Sequence, residues 1–202
     1  MSAKGYTTEE KIEAMLGVAI TDGAVARYIE AAEKLIDKLT GRNFIADSVA
    51  VARDFDGTGK QEMYIDDCIE ITKVELGNDA YGDNYTEISA GGSNGYYLHP
   101  VNYKVEELPI RAIHLRSNVW LNGLSNNKIT AKWGYSESVP ADIEFIATVL
   151  AAGMYQFYKK SGFKGAKSEK IGNYSVSYKN DNGWSDYNLS IELIEQYKKL
   201  YF

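Results

Sequence analysis

Few residues of this 202-residue chain stand in patterns that do chemistry. Gly91-Gly92-Ser93-Asn94-Gly95 has the spacing of a nucleophile elbow. That motif needs a serine on a strand-to-helix turn, with an acid and a histidine following in the fold. A strand does precede it, but Tyr96-Tyr97-Leu98-His99-Pro100 cannot continue as a helix, and no parallel α/β framework surrounds His114. The pattern reads as a hairpin turn. Asp54-Phe55-Asp56-Gly57-Thr58-Gly59 opens like a calcium loop, with glycine sixth, yet Ile65 takes the twelfth place, where a bidentate glutamate is needed. Gly57 and Gly59 also begin a dinucleotide fingerprint, which Glu62 at the third glycine's place breaks. A tight turn between strands is expected instead. Cys68, His99 and His114, with Asp66 or Asp67, have no zinc spacing. His114 alternates within a strand and reads as a satisfied surface or core histidine. The neighbours Glu106 and Glu107 read as solvated charges. No catalytic residue, metal ligand or cofactor is assigned, and the chain is expected not to be an enzyme.

The lysines Lys159, Lys160, Lys164, Lys167 and Lys170 form the one concentrated charge cluster. They read either as a solvated loop that also favours the negative end of a preceding helix, or as contacts to DNA phosphates or an acidic partner subunit. The formal charge of −6 argues against a sequence-reading nucleic-acid binder, whose affinity would rest on phosphate neutralisation. It is compatible with a protein past which DNA moves without being trapped. A single cysteine excludes an intrachain disulfide and fits a reducing compartment. Met1-Ser2-Ala3-Lys4-Gly5 leads into a polar helix, so no signal peptide is expected.

The elements that would carry these residues fall into helical flanks and a β-rich middle. Thr7-Thr8-Glu9-Glu10 predicts a first helix with Thr7 as cap and Glu10 as its capping-box partner, and Ile12, Met15 and Leu16 as the apolar stripe. Val25, Tyr28, Ile29, Ala32, Leu35, Ile36 and Leu39 predict a second, capped by Asp22 and stopped by Gly41. Val139-Pro140-Ala141-Asp142-Ile143-Glu144 opens a third, with proline in the first turn and carboxylates at the positive end of the dipole. Residues 145–155 of that helix carry almost no polar side chain, which predicts cover on every side, by the rest of the chain or by sister subunits. The run is too short for a bilayer, which needs ~20 apolar residues. Ser175-Val176-Ser177-Tyr178 reads as an exposed strand or hairpin arm, and a last helix is expected from near Asp186, with Leu189, Ile191, Ile194, Tyr197 and Leu200 apolar.

Between Phe44 and Tyr135 short β-branched and aromatic segments alternate with Gly/Asn/Asp turns: 49–53, 63–65, 69–74, 85–88, 96–98, 110–115 and 129–133. The fold class is therefore α+β, a small helical-bundle core with a β-rich antiparallel sandwich or barrel-like insertion between helices two and three. The expected division is 1–45 with 139–202 for the helical core, and 46–138 for the insertion.

Three strings, in order, resemble the head–tail connector (adaptor, or head-completion) proteins of tailed bacteriophages. They are Leu39-Thr40-Gly41-Arg42-Asn43-Phe44, then Trp133-Gly134-Tyr135 with Val139-Pro140-Ala141-Asp142-Ile143, and finally Ser168-Glu169-Lys170-Ile171-Gly172-Asn173-Tyr174-Ser175-Val176-Ser177-Tyr178. The resemblance implies a structural virion protein, assembled in the host cytoplasm into a homo-oligomeric ring, commonly of twelve copies. Such a ring lies beneath the portal, extends the channel for double-stranded DNA, and presents a docking surface to the next neck or tail protein. No membrane partner is implied, and the large insertion departs from the pattern. Within this reading Glu169, Lys170, Ile171 and Tyr174 are expected at the protomer–protomer contact, because the segment alternates like an edge strand. Tyr197, Leu200, Tyr201 and Phe202 are expected either to bind the portal as terminal aromatic anchors or to complete the protomer's own core. Lys159, Lys160, Lys164 and Lys167 are candidate DNA or partner contacts. Competing readings are another neck or tail-completion ring protein, a small hydrolase using Ser93 and a histidine, and a β ligand-binding module on a helical stalk.

Overall fold

The computed structural model describes residues 4–21, 23–82, 84–161, 168–171, 174–177 and 193–199. The chain divides into two compact units, Met1–Gly41 with Val139–Phe202, and Arg42–Ser138.

The helical unit contains α1 (Glu9–Leu16), α2 (Val25–Thr40) and α3 (Ala141–Ser161). In α2 the apolar stripe buries Val25, Ile29, Ala32 and Ile36, while Leu39 at its end stays exposed. The helix stops at Gly41, whose φ of 69° is left-handed and whose N–H caps Asp37 O. Ala24 stands at the N-cap of α2, and Asp22 lies outside the described residues. The cap of α1 also differs from expectation. Thr8 occupies the N-cap without a side-chain cap bond, whereas Thr7 is buried and its hydroxyl meets that of Thr148 on α3 at 2.6 Å. Packing against α3 outweighs capping there. Within the protomer the cover of α3 is uneven. Ile143, Ile146, Ala147, Leu150, Ala151 and Tyr155 are buried, but Phe145 and Phe157 are more than half exposed. The α1 and α2 contacts cover one broad side of α3. Ile194 is buried within a short helical turn at 193–195; the rest of the expected last helix, including Leu189 and Ile191, lies outside the described residues. Strands β7 (Ser168–Ile171) and β8 (Tyr174–Ser177) pair antiparallel as a hairpin.

The other unit is one six-stranded antiparallel sheet, the β-rich insertion of the α+β fold. Its strands are β1 (Val51–Gly57), β2 (Glu62–Gly77), β3 (Tyr85–Ile88), β4 (Tyr96–His99), β5 (Ile110–Leu115) and β6 (Gly123–Trp133). Their order is β1-β6-β2-β5-β4, with β3 also on β2. The long β2 holds the sheet together: its first part pairs with β5, its later part with β6 and β3. Register shifts between Tyr64 and Cys68, Cys68 and Glu70, and Ile71 and Lys73 mark bulges. Bulges bend and twist a strand, so one strand serves neighbours along different stretches. The core gathers Met63, Ile65, Cys68, Val74, Tyr96, Ile110, Ile113, Leu115, Trp120, Ile129, Ala131 and Trp133.

The chain segments leading into and out of the sheet unit are fastened to each other. Ile45 and Ser136 form a parallel bridge, Tyr135 N–H donates to Asn43 O, and Ala46 N–H donates to Ser136 O. Beside them Arg42 Nη1 meets Asp67 Oδ2 at 2.5 Å, with both side chains nearly buried and the Arg42 guanidinium over the Tyr135 ring.

Candidate interaction surfaces

The residues tested for chemistry are held in structural roles. Ser93 lies in the turn between β3 and β4, and its carbonyl accepts a hydrogen bond from the Ser117 hydroxyl. The strand-to-helix elbow is not formed. Asp54, Phe55, Asp56 and Gly57 belong to β1 itself, and the turn follows at 58–61. Asp56 Oδ1 accepts the Ser125 N–H at 2.7 Å. Among the described residues no group of His, Cys, Asp and Glu could hold a metal ion. His114 stacks on Tyr97 across the β4–β5 pair, with ring centroids 4.7 Å apart at 17°. His99 stands beside both rings. Cys68 is buried under the sheet, and that burial, with Asp67 adjacent, pushes its thiol up to about 12. A thiol so raised is an inert core group.

The positions expected to meet partners distribute as follows. Glu169, Lys170 and Ile171 lie on β7 and Tyr174 on β8, where Ile171 pairs with Tyr174 and Glu169 with Val176. Lys159 is exposed at the end of α3 with its ammonium 5.6 Å from the Tyr155 ring centroid; Lys160 is the following helical residue. Lys164, Lys167, Leu200, Tyr201 and Phe202 lie outside the described residues. Tyr197 is half-buried, and its hydroxyl donates to Asp142 at the start of α3. Two residues on, Lys199 N–H donates to Thr40 O at the end of α2, 2.7 Å away. Residues 197 and 199 are thus tied to α3 and α2 of their own unit.

Two polar clusters were not read from the sequence. Glu33, within the apolar side of α2, is buried, and its carboxylate accepts the backbone N–H groups of Lys4, Gly5 and Tyr6 at 2.6, 2.8 and 2.9 Å. It fastens the N-terminal segment to the bundle. In the sheet unit Asn126 and Asn127 are fully buried. Asn126 Oδ1 accepts from Gly57 N–H and Asn127 Nδ2, while its Nδ2 donates to Asp79 O and Leu121 O. Asn127 Oδ1 accepts from Gly77 N–H. Glycine is required beside this knot, since a Cβ on Gly57 would come within 1.6 Å of Leu121 O and one on Gly77 within 1.9 Å of Asn126 O. The knot fixes the loops at one end of the sheet, which display Tyr81, Val119 and Leu121 to solvent. A legible signal was the Asn-Asn pair set inside a β-patterned stretch.

This arrangement of helices and sheet has a solved counterpart. A chain of the structure described as "Neck of empty GTA particle computed with C6 symmetry" matches with a TM-score of 0.55 at 15% sequence identity. This chain shares that chain's fold. The match covers 100% of this chain and 94% of the neck chain, so helices, sheet insertion and C-terminal part are all included. No protein-family model and no curated protein matches the sequence.

Proposed function

We propose that this chain is a structural neck protein of a phage-like particle, acting as a homo-oligomeric ring between head and tail. The observation that carries the reading is end-to-end correspondence with a chain from a GTA-particle neck. Correspondence over the whole length matters more than its modest identity, because helical bundle and inserted sheet occur together and in the same order. The residue-level chemistry supports the same class. The histidines, the cysteine and Ser93 are engaged in stacking, core packing and turn formation. Among the described residues no helix is long and apolar enough to cross a membrane.

Within this reading the ring sits below the portal and continues the DNA channel, joining the portal to the next neck or tail protein. A wall of net negative charge lets DNA pass, since phosphates are repelled rather than condensed. Twelve copies are compatible with sixfold symmetry. The β7–β8 hairpin, with Glu169, Lys170, Ile171 and Tyr174, would pair with a neighbouring protomer along a strand edge. The terminal residues Tyr197, Leu200, Tyr201 and Phe202 would face the portal, with Lys159, Lys160, Lys164 and Lys167 toward DNA or an acidic subunit.

Electron microscopy of the purified chain, alone and mixed with heads bearing their portal, tests the proposal. Rings that occupy the head vertex are the expected result. A protein that forms no ring and binds no particle would overturn it.

A further inference from the structure

Arg27 stands in the first turn of α2, where its charge faces the positive end of the helix dipole. No acidic residue shares that turn. Elsewhere in the chain arginines are answered by carboxylates, Arg42 by Asp67 and Arg53 by Asp66. Glu30, three residues on from Arg27, is engaged by Lys34 at 2.7 Å. Among the described residues Arg27 is surrounded by tyrosines instead. Its guanidinium lies 5.0 Å from the Tyr28 ring centroid and 4.9 Å from that of Tyr158 on α3. The Tyr158 hydroxyl accepts a hydrogen bond from it, and the Tyr28 hydroxyl is also within its reach. The two rings are 5.9 Å apart, and Tyr28 meets the buried Tyr155 edge-on at 6.1 Å, so the cage is anchored in the α2–α3 packing. Arg27 itself is exposed. Ring faces attract a cation without neutralising it. The fold thus holds a full positive charge in a fixed orientation, at a place where the helix opposes it.

We propose that Arg27, Tyr28 and Tyr158 form a binding site for a phosphate group of double-stranded DNA. The guanidinium is a planar fork of N–H donors with no acceptor. Tyr158 uses an oxygen lone pair to accept from Arg27, which leaves its own O–H proton to donate outward. The Tyr28 hydroxyl adds another donor. Such a set of donors around one positive charge matches the several acceptor oxygens of a phosphate better than the two of a carboxylate. The tyrosines have already restricted the arginine, so less ordering entropy is lost when the anion arrives. The cluster lies on an open helical surface, where a solitary phosphate ion stays largely hydrated. A duplex gains from the release of its condensed counterions and is held there more readily. The assignment to DNA rests on the neck reading, which brings a duplex past the ring; the donor set belongs to the single chain. One such contact per chain is weak, which agrees with DNA that passes without being trapped.

Fluorescence anisotropy of a short labelled duplex, titrated with the full chain at stepped low salt, tests this. The parent should bind with an affinity that falls as salt rises, and inorganic phosphate should compete only far more weakly than unlabelled duplex. Arg27→Gln removes the charge and keeps a long polar side chain. It should weaken binding at least fivefold and reduce the salt slope by about one. Its thermal midpoint should be unchanged or raised, because a cation leaves the positive end of the α2 dipole. Arg27→Lys keeps the charge without the fork, so it should bind less tightly than the parent with the parent's slope. A parent that binds no duplex at low salt, or an Arg27→Gln chain with the parent's affinity and slope, would overturn the proposal. Phosphate competing as well as duplex would also overturn it, by making the free ion the ligand. So would an Arg27→Gln chain that binds duplex normally and forms no rings, which would give the site to a carboxylate of a neighbouring subunit. Failure of the parent itself to form rings would count against the neck reading and leave the titration outcomes intact.

Discussion

Replacing Asn126 by alanine should cost the sheet unit more than any surface change, and the structure sets the scale. The amide makes four hydrogen bonds, to Gly57 N–H, Asn127 Nδ2, Asp79 O and Leu121 O, at 2.9, 2.9, 3.2 and 2.8 Å. Two of the abandoned partners are donors in buried positions. Each buried donor left unsatisfied costs about 1–3 kcal/mol. The two carbonyls are only part-buried and can turn to water, so they add little. The expected loss is therefore about 3–5 kcal/mol, a large part of the stability of a domain this size. Urea unfolding followed by tryptophan fluorescence measures it, with Trp120 as a core reporter. Hydrogen exchange should show the added opening at 78–82 and 117–125. Asn126→Asp separates the two halves of the amide. It keeps both acceptor roles but turns an anionic oxygen toward two carbonyls. That contact raises the carboxyl's folded pKa, so the variant should be most stable at low pH and lose stability as pH rises through the raised value. A loss below ~1 kcal/mol for alanine, with unchanged exchange in both loops, would refute the claim that this amide holds the end of the sheet.

Cys68 should resist thiol reagents in the native chain and react only on unfolding. Its thiol is raised to about 12 from an ordinary 9.0, chiefly by burial, so the unfolded chain loses that proton first and native stability should fall from about pH 9 upward. Cys68→Ala should flatten this alkaline loss in urea titrations at stepped pH. Deleting residues 46–138 with a short linker should leave a soluble, helical protein by circular dichroism; loss of the helical signal would show that the units share a core. Ile171→Asp should weaken ring assembly seen by light scattering while the protomer stays folded, and intact rings would remove the β7–β8 hairpin from the contact. Truncation after Gln196 removes both the Tyr197 bond to Asp142 and the Lys199 bond to Thr40. Head binding should be lost and the thermal midpoint lowered, whereas unchanged binding would place the docking surface elsewhere.

What the sequence disclosed depended on how far local pattern and tertiary need agreed. β3 and β5 were bounded correctly because turn residues stand close on either side of them, Asn84 and Ser89 for β3, Pro109 and Ser117 for β5. β2 was read as two segments. Its buried positions run 63, 65, 67 and then shift at Cys68, where a bulge turns the phase over and mimics a loop. The α2 stripe was plain, but nothing local marks Glu33 beside it; only the fold reveals that three backbone donors converge there. Thr7 and Thr8 were exchanged at the cap of α1 because a hydroxyl serves an N-terminus or a neighbouring helix equally well on local chemistry. The apolar run in α3 could not announce which side α1 and α2 pack on, since composition carries no direction. Asn126 and Asn127 drew no reading, because an amide that can bond backbone in a loop can do so equally in a core.

The bridge between Ile45 and Ser136 has a meaning for descent as well as for folding. Closing a loop as long as the insertion, if it were slack, would cost on the order of 4 kcal/mol in chain entropy by the (3/2)RT ln n scaling. With its two ends stitched together, the insertion settles that cost internally, and the polypeptide from Gly41 to Val139 behaves toward the helices like a short hairpin connection. An ancestor with only that connection could acquire the sheet in one recombination event without its bundle having to adapt. The same stitch permits later exchange of the sheet for another of different surface, so that one part of the molecule can follow a changing partner while the other keeps its packing.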